Sequence, residues 1–590
     1  MNSDSELKKQ VFDVLLHLKH ERYSNQRALA DSTGLSLGYV NKSLKILERN
    51  GLIDKNCALT SKAKTLIKSH SPKRAVILAA GGGMRMVPIN TLTPKALLEV
   101  KGEKLIERQI RQLNEKGITD ISIVVGFLKE SFEYLLDQYN VKLIINDCYS
   151  MKNNMYSLSI ASEKLSNCYI VPCDLWSEFN PFNTEELYSW YMVTDGTDEH
   201  SSVRVNRNKE LVNVSAGENG NRMVGIAYIN DLDADVLSAN IRKLLSDGRH
   251  DETFWEEALF NNDRMIVWPC FVPDDSIKEI NTYEQLREID TDSNHLKNDA
   301  IITISEVFGC KETDVKDISV LKKGMTNRSF LFSVRGSKYI MRIPGEGTDK
   351  LINRKQESEV YKTIRGLGLC DDPVYFNPET GYKITKYLEG VRVCNSNDEN
   401  DLKKCMKKLK AFHEMDLKVD HWFDIFEQIE FYESLRAGEP SAFKDYFETK
   451  NKIMSLRELI NGLPKRNCLT HIDAVPDNFL FFAHDGSTEE QLQLTDWEYS
   501  GMQDPHVDIA MFCIYSLYDK NQCDHLIDIY FDGKCDMNTK VKIYCYIASC
   551  GLLWSNWCEY KRCLGVEFGE YNISQYRYAK DFFRYAKELL

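Results

Sequence analysis

Two clusters of side chains in this sequence have the types and spacing for chemistry at phosphorus. In the first, Ala79, Ala80, Gly81, Gly82 and Gly83 end the apolar run Ala75–Ala79, Arg85 follows, and Lys95 comes ten residues later behind Pro94. Glycines leave backbone N–H groups free to close on phosphate oxygens, and an arginine fork suits a polyphosphate. A strand, a glycine loop, an arginine and a Pro-Lys pair in that order predict a cradle for a nucleoside triphosphate. Asp174 lies just beyond the apolar run Cys168–Val171, at the carboxyl end of a strand, where open α/β sheets bind ligands. It is the first candidate metal ligand. Glu279 and Asn281 are hard oxygen donors; Asp174 with one of them would fit a Mg2+ ion that keeps most of its waters and bridges substrate phosphates.

The second cluster is His471-x-Asp473 with Asn478, five residues after the aspartate, then Asp496 and Asp508. That aspartate-to-asparagine spacing is the one found in kinase catalytic loops. Asp473 would orient and deprotonate an acceptor hydroxyl, while Asn478 and Asp496 would ligate magnesium. His471 reads as a brace for the loop, and Asp508 as its anchor through backbone hydrogen bonds. Upstream, Arg342 on a third strand and Glu357 on the helix behind it form the cation–carboxylate pair that orients α/β-phosphates in kinase folds, with Arg in place of the usual Lys. The turn Lys323–Asn327 lies between the first two strands, as a nucleotide-covering loop does.

The elements that must hold these clusters follow from periodicity. From Arg74 onward, apolar strands alternate with helical patterns, which predicts a doubly wound α/β sheet. After about residue 300 the character changes to a short strand-rich lobe followed by helices. Before Arg74, three helical patterns, a turn at Thr33–Ser36 and a short β-like tail predict a winged helix-turn-helix. Residues 1–73 carry 13 Lys+Arg against 7 Asp+Glu, whereas the whole chain has a net charge of −13. Only this N-terminal piece is suited to a polyanion such as DNA, with Tyr39, Asn41, Lys42 and Lys45 on or near the outer face of its third helix. Seventeen cysteines without a CxxC pair argue for reduced thiols in a cytoplasm. No apolar run is long enough for a membrane span.

The blocks LAAGGGMRM, TPKALLEV, GEKLIERQI, INDCYSMKNNMYSLSIA, VPCD and EINTYEQL occur in the order of a nucleotidylyltransferase domain. This part resembles bacterial CTP:phosphocholine cytidylyltransferases. The resemblance implies that Arg85 holds the β/γ-phosphates that leave as pyrophosphate, and that Lys95 contacts the incoming phosphate and the α-phosphate. It further implies that Asp174, with Glu279 or Asn281, holds magnesium. Met84 stands where Ser or Thr is usual, Asn281 stands where Asp is common, and Asp198–Ser202 has no aromatic where a second wall around the amine is expected. Trp255 is the candidate first wall, since indole faces attract cations.

The blocks GMTNRSF, GYKITKYLEG, HIDAVPDN and TDWEYSGMQDP are similar to bacterial choline kinases and, more distantly, to aminoglycoside phosphotransferases. Trp554 and Trp557 are candidates for a choline cage there. The expected architecture is therefore multidomain. It comprises a winged helix with a small β wing (1–72), a Rossmann-like α/β nucleotidyltransferase with a mixed sheet (73–290), and an α+β kinase-like domain (291–590). The expected activity is bifunctional synthesis of CDP-choline from choline, ATP and CTP through phosphocholine. Ethanolamine, another amino alcohol or a phosphonate is the alternative substrate, and a DNA-binding regulator that senses choline metabolites is the alternative class. A homo-oligomer is compatible with these readings.

Overall fold

A computed structural model describes residues 8–89, 93–215, 217–321, 327–345, 348, 351–370, 372–483, 490–564, 566 and 568–590. The expected nucleotide-covering turn at Lys323–Thr326 and the side chain of Met84 lie outside the described residues. The chain divides into two compact units, residues 1–306 with 317–320, and residues 307–316 with 321–590.

The first unit begins with helices Lys9–His20, Gln26–Thr33, Leu37–Arg49 and Ser61–His70, and a one-bridge wing pairs Ile53 with Leu59. Ser36 starts the third helix as the sequence suggests, its hydroxyl accepting from the Tyr39 N–H at 3.4 Å. Val40, Leu44 and Leu47 recur at helical spacing and are buried, which leaves Tyr39, Lys42 and Lys45 exposed. The small core of this bundle is completed from outside it. Leu187, 2% exposed, belongs to the same cluster as Val14, Leu15 and Leu47. Beside it the Tyr188 hydroxyl donates to Asp13 at 2.8 Å, Lys9 stands over the Tyr188 ring, and Lys19 pairs with Glu185.

Next comes a seven-stranded sheet in the order Trp268–Val272, Trp190–Asp198, Gly220–Ile229, Cys168–Pro172, Arg74–Ala79, Asp120–Val125 and Lys142–Ile145. Gly220–Ile229 runs antiparallel to both neighbours and the other pairings are parallel, giving the expected mixed sheet. Arg74–Ala79 sits between two parallel partners, which is why its run is apolar on both faces. Residues 290–298 are folded onto this unit: the Tyr283 hydroxyl donates to the Leu296 carbonyl at 2.9 Å, and Ser293 Oγ donates to the Glu99 carbonyl at 3.1 Å.

In the second unit, strands Asn327–Val334, Ser337–Pro344 and Lys383–Lys386 succeed one another antiparallel, with helix Arg354–Ile364 following the second of them in sequence. Helices follow from Glu399 onward. Among them, Met537–Cys563 is buried on nearly every side, as an apolar helix at the centre of a bundle should be. Among the described residues no helix is long and apolar enough to cross a membrane.

Candidate active sites

The glycine loop leaves the end of the central strand where the sequence places it. Gly83 has φ 55°, and a Cβ there would lie 3.3 Å from the Lys95 Cβ, so the glycine lets the loop fold against the lysine. Ala79 and Ala80 are buried, whereas Gly81 and Arg85 are exposed. A cleft of about 400 Å3 opens beside the loop, lined by Ala80, Gly81, Tyr149, Asn153, Asn154 and Glu252 among others. Gly126 lets two of these lining residues close in, since a Cβ there would meet the Tyr149 Cβ at 2.7 Å and the Ala80 carbonyl at 2.8 Å.

Asp174 and Asn281 converge although more than a hundred residues separate them. Strand Ile277–Glu279 pairs antiparallel with Leu175–Ser177, and the Ile280 N–H donates to the Asp174 carbonyl at 2.9 Å. The Lys95 ammonium bridges the two oxygens, 2.5 Å from Asp174 Oδ2 and hydrogen-bonded to Asn281. Glu279 is on the same strand end with its side chain exposed. The other carboxylate oxygen, Asp174 Oδ1, is buried without a hydrogen-bond partner. An orphaned anionic oxygen beside an amide oxygen fits a hard divalent cation.

Trp255 is corrected by the structure. It is 1% exposed and packs on Tyr191 in the core beneath the sheet, so its indole face is unavailable to a substrate. The short 3-10 turn Trp255–Leu259 buries Trp255, Ala258 and Leu259. Its neighbour Phe254, 61% exposed, is the aromatic that faces outward. The same turn carries Glu256, which sequence reading missed. Its Oε1 accepts from the Tyr191 hydroxyl at 3.2 Å, while Oε2 is buried without a partner. Burial first, with Glu279 adding repulsion, pushes this carboxyl up to about 7. Because the folded value is raised, stability from this group is complete below the ordinary carboxylate range and is lost as pH rises through about 7. Glu256→Gln should therefore be more stable than the parent at pH 8 by on the order of 1–3 kcal/mol, and equal to it near pH 4, as read by urea unfolding.

The second site is assembled around strand Cys468–Thr470, from whose end His471, Ile472 and Asp473 emerge. Asp508 accepts from the His471 N–H at 3.0 Å and the Ile472 N–H at 2.7 Å, the anchoring expected of it. Ile472 has φ 71° and Asp496 φ 66°. Positive φ at non-glycine residues costs of order 1–3 kcal/mol and collects at functional sites. His471 donates from Nε2 to the Thr495 carbonyl at 2.9 Å, and burial lowers its pKa to about 4, so it is a neutral brace. Asn478 Nδ2 donates to the Asp473 carbonyl at 2.8 Å and to Asp473 Oδ2 at 3.1 Å. The Thr495 N–H donates to the Asn478 carbonyl at 2.9 Å, which sets Asp496 beside this loop. Burial, then Asp496 and Glu498, push Asp473 up to about 8. Anions crowded together in this way fit a site that receives a cation. Among the described residues no group of three or more His, Cys, Asp or Glu side chains forms a ready metal cage.

Arg342 Nη1 lies 2.7 Å from Glu357 Oε1, and Nη2 donates to Glu357 Oε2 at 2.8 Å, both residues being buried. Trp557, 2% exposed, is a core residue and is corrected as such. Trp554 is half-buried and meets Tyr499 edge-on at 5.9 Å, and Tyr499 follows Glu498 directly, which brings this indole toward the site.

Comparison with known proteins gives three matches to family models: residues 7–54 to winged helix-turn-helix DNA-binding, 75–189 to the MobA-like NTP transferase domain, and 318–544 to choline/ethanolamine kinase. Over 221 residues the chain is 34% identical to the choline-phosphate cytidylyltransferase of Streptococcus pneumoniae, covering 37% of this chain and 96% of that one. The chain belongs to the choline-phosphate cytidylyltransferase family. This cytidylyltransferase continues into a choline/ethanolamine kinase domain on the same chain. It is also 32% identical over 203 residues to a 2-aminoethylphosphonate cytidylyltransferase of Lancefieldella rimae, covering 32% of this chain and 79% of the relative. The crystal structure of the choline kinase LicA from Streptococcus pneumoniae is similar at 30% identity and a TM-score of 0.42, covering 48% of this chain and 97% of that one.

Sequence reading also missed Arg354, Lys383 and Glu498 around the Arg342–Glu357 pair. The one signal for Glu498 was its place two residues after Asp496 in TDWEYS.

Proposed function

We propose that the chain catalyses two consecutive reactions, ATP-dependent phosphorylation of choline to phosphocholine, then CTP-dependent cytidylyl transfer to give CDP-choline and pyrophosphate. The observation that carries this reading is that Lys95 is gathered with Asp174 and Asn281, and Asp473 with Asn478 beside Asp496, on one chain. In the kinase, Asp473 accepts the proton of the choline hydroxyl as its oxygen attacks the γ-phosphorus of ATP, and ADP departs. Arg342, held by Glu357, orients the α/β-phosphates. In the transferase, a phosphate oxygen of phosphocholine attacks the α-phosphorus of CTP. Lys95 offers its ammonium to the attacking and α-phosphates, and exposed Arg85 faces the departing pyrophosphate. Mg2+ held by Asn478 and Asp496, and by Asp174 with Asn281 or Glu279, supplies charge neutralisation on the phosphates when bound. All seventeen cysteines are free, which supports a cytoplasmic setting.

The test is 31P NMR of purified protein given choline, ATP, CTP and Mg2+. CDP-choline and pyrophosphate are expected, and absence of both phosphocholine and CDP-choline would refute the reading.

A second reading changes the amine. Trp255 is buried and Asp198–Ser202 lacks an aromatic, so the walls expected around a trimethylammonium are incomplete, and one relative is a 2-aminoethylphosphonate enzyme. Parallel assays with ethanolamine, phosphoethanolamine and 2-aminoethylphosphonate discriminate, since faster turnover of these displaces choline. The exposed Tyr39, Lys42 and Lys45 support a duplex-DNA partner for the winged helix, for which affinity falling steeply with salt is the signature.

A further inference from the structure

The kinase mechanism uses Asp496 and the Arg342–Glu357 pair, and leaves three buried polar side chains beside them without a role. Asn327, Arg354 and Glu498 are each no more than 8% exposed. Glu498 Oε2 accepts from Asn327 Nδ2 at 2.8 Å and lies 3.3 Å from Arg354 Nη1 and 3.5 Å from Arg342 Nη1. Arg354 also reaches Glu357 Oε2 at 3.0 Å and donates to Asn327 Oδ1 at 3.0 Å. Lys383, paired in register with Arg342 on the adjacent strand, stands 3.6 Å from Glu357 Oε1.

Three cations therefore share three carboxylates, namely Glu357, Glu498 and Asp496. From Arg342 Nη1 the carboxylates lie in the order Glu357 at 2.7 Å, Glu498 at 3.5 Å and Asp496 at 3.9 Å. Glu357 and Glu498 are buried, while the Asp496 side chain is 37% exposed. In a low-dielectric setting a guanidinium left short of negative charge takes the next anion within reach. Here that anion is Asp496, only 0.4 Å further away than Glu498. Asn327 fixes which way Glu498 points, because its amide joins Glu498 to Arg354 and it begins the strand that pairs with the one carrying Arg342.

We infer that Glu498 is a positioning residue for phosphoryl transfer: with Arg354 and Asn327 it saturates the buried arginines, and so keeps Asp496 turned outward for the metal–nucleotide complex. Glu498 itself touches no reacting atom in this scheme. The inference rests on the kinase reading of this site.

The experiment uses the full-length chain and measures ADP affinity by calorimetry with and without Mg2+, alongside choline phosphorylation. In E498Q the gain in ADP affinity that Mg2+ brings should shrink about tenfold, a factor that corresponds to about 1.4 kcal/mol. Affinity for metal-free ADP should change less than threefold, and E498D should recover part of the gain. D496N should abolish the gain, and the double variant E498Q/D496N should be no worse than D496N alone, since both act through one carboxylate. Cytidylyl transfer by the same molecules reports that the chain is folded. An unchanged Mg2+ gain in E498Q, or additive losses in the double variant, overturns the inference. A parent protein that does not phosphorylate choline, ethanolamine or another amino alcohol overturns the kinase reading instead.

Discussion

Asp473→Asn lowers the rate of choline phosphorylation by about a thousandfold or more, while cytidylyl transfer from supplied phosphocholine and CTP continues at the parental rate. A positioned general base contributes about 10²–10⁴-fold, and this aspartate additionally organises its loop through Asn478. Asparagine keeps the shape and one acceptor oxygen, so a loss of this size reads on proton acceptance and charge. His471 cannot substitute: it is buried, neutral at physiological pH, and committed through Nε2 to the Thr495 carbonyl. A coupled assay for ADP, run beside a pyrophosphate assay on the same preparation, separates the two activities. A residual kinase rate within tenfold of the parent would remove Asp473 from the chemistry.

The second large effect is on the other reaction. Lys95→Ala should cut CDP-choline formation from phosphocholine and CTP by about 10²–10³-fold, the usual cost of removing one preorganised donor from a developing charge. Phosphorylation of choline by the same variant should be unaffected. Lys95 is also what neutralises Asp174 in the free protein, while donating to the Asn281 amide oxygen. The variant should therefore keep its fold and reach saturation at lower Mg2+, since the Asp174 carboxylate is left without its competing cation. Pyrophosphate release titrated against Mg2+ shows both effects. Equal losses in the two activities would point to unfolding, which circular dichroism checks.

Much of this architecture was legible because it is local. The Gly81–Gly83 loop behind an apolar strand, the Asp473-to-Asn478 spacing and the capped helix Leu37–Arg49 each depend on residues close together in the chain. Burial was legible only as periodicity, and that is where the aromatics went astray. Phe254 and Trp255 are adjacent and both apolar, so nothing in their order tells which turns inward; the 3-10 turn decides it by burying Trp255 with Ala258 and Leu259. Trp554 and Trp557 lie on a helix buried nearly all round, where spacing carries no inside–outside signal. The Asn281–Asp174 meeting depends on a strand pair formed across about a hundred residues, and only donor chemistry and the similarity of the EINTYEQL block pointed to it. The Asn327–Arg354–Glu498 cluster gave still less: its members come from a strand, a helix and a loop end, each unremarkable where it stands in the sequence.

Leu187 sets how this chain can be divided. The border between residues 72 and 73 is a natural place to cut on composition, yet the leucine that fills the first bundle comes from the loop just before strand Trp190–Asp198. A fragment starting at Lys73 would carry Leu187 and Tyr188 uncovered on its surface, together with Glu185 stripped of Lys19. The converse fragment, ending at Pro72, would have a hole where that leucine sat. Fragments meant to isolate cytidylyl transfer should therefore keep the first helices, and a version without them is expected to aggregate even with its catalytic groups intact.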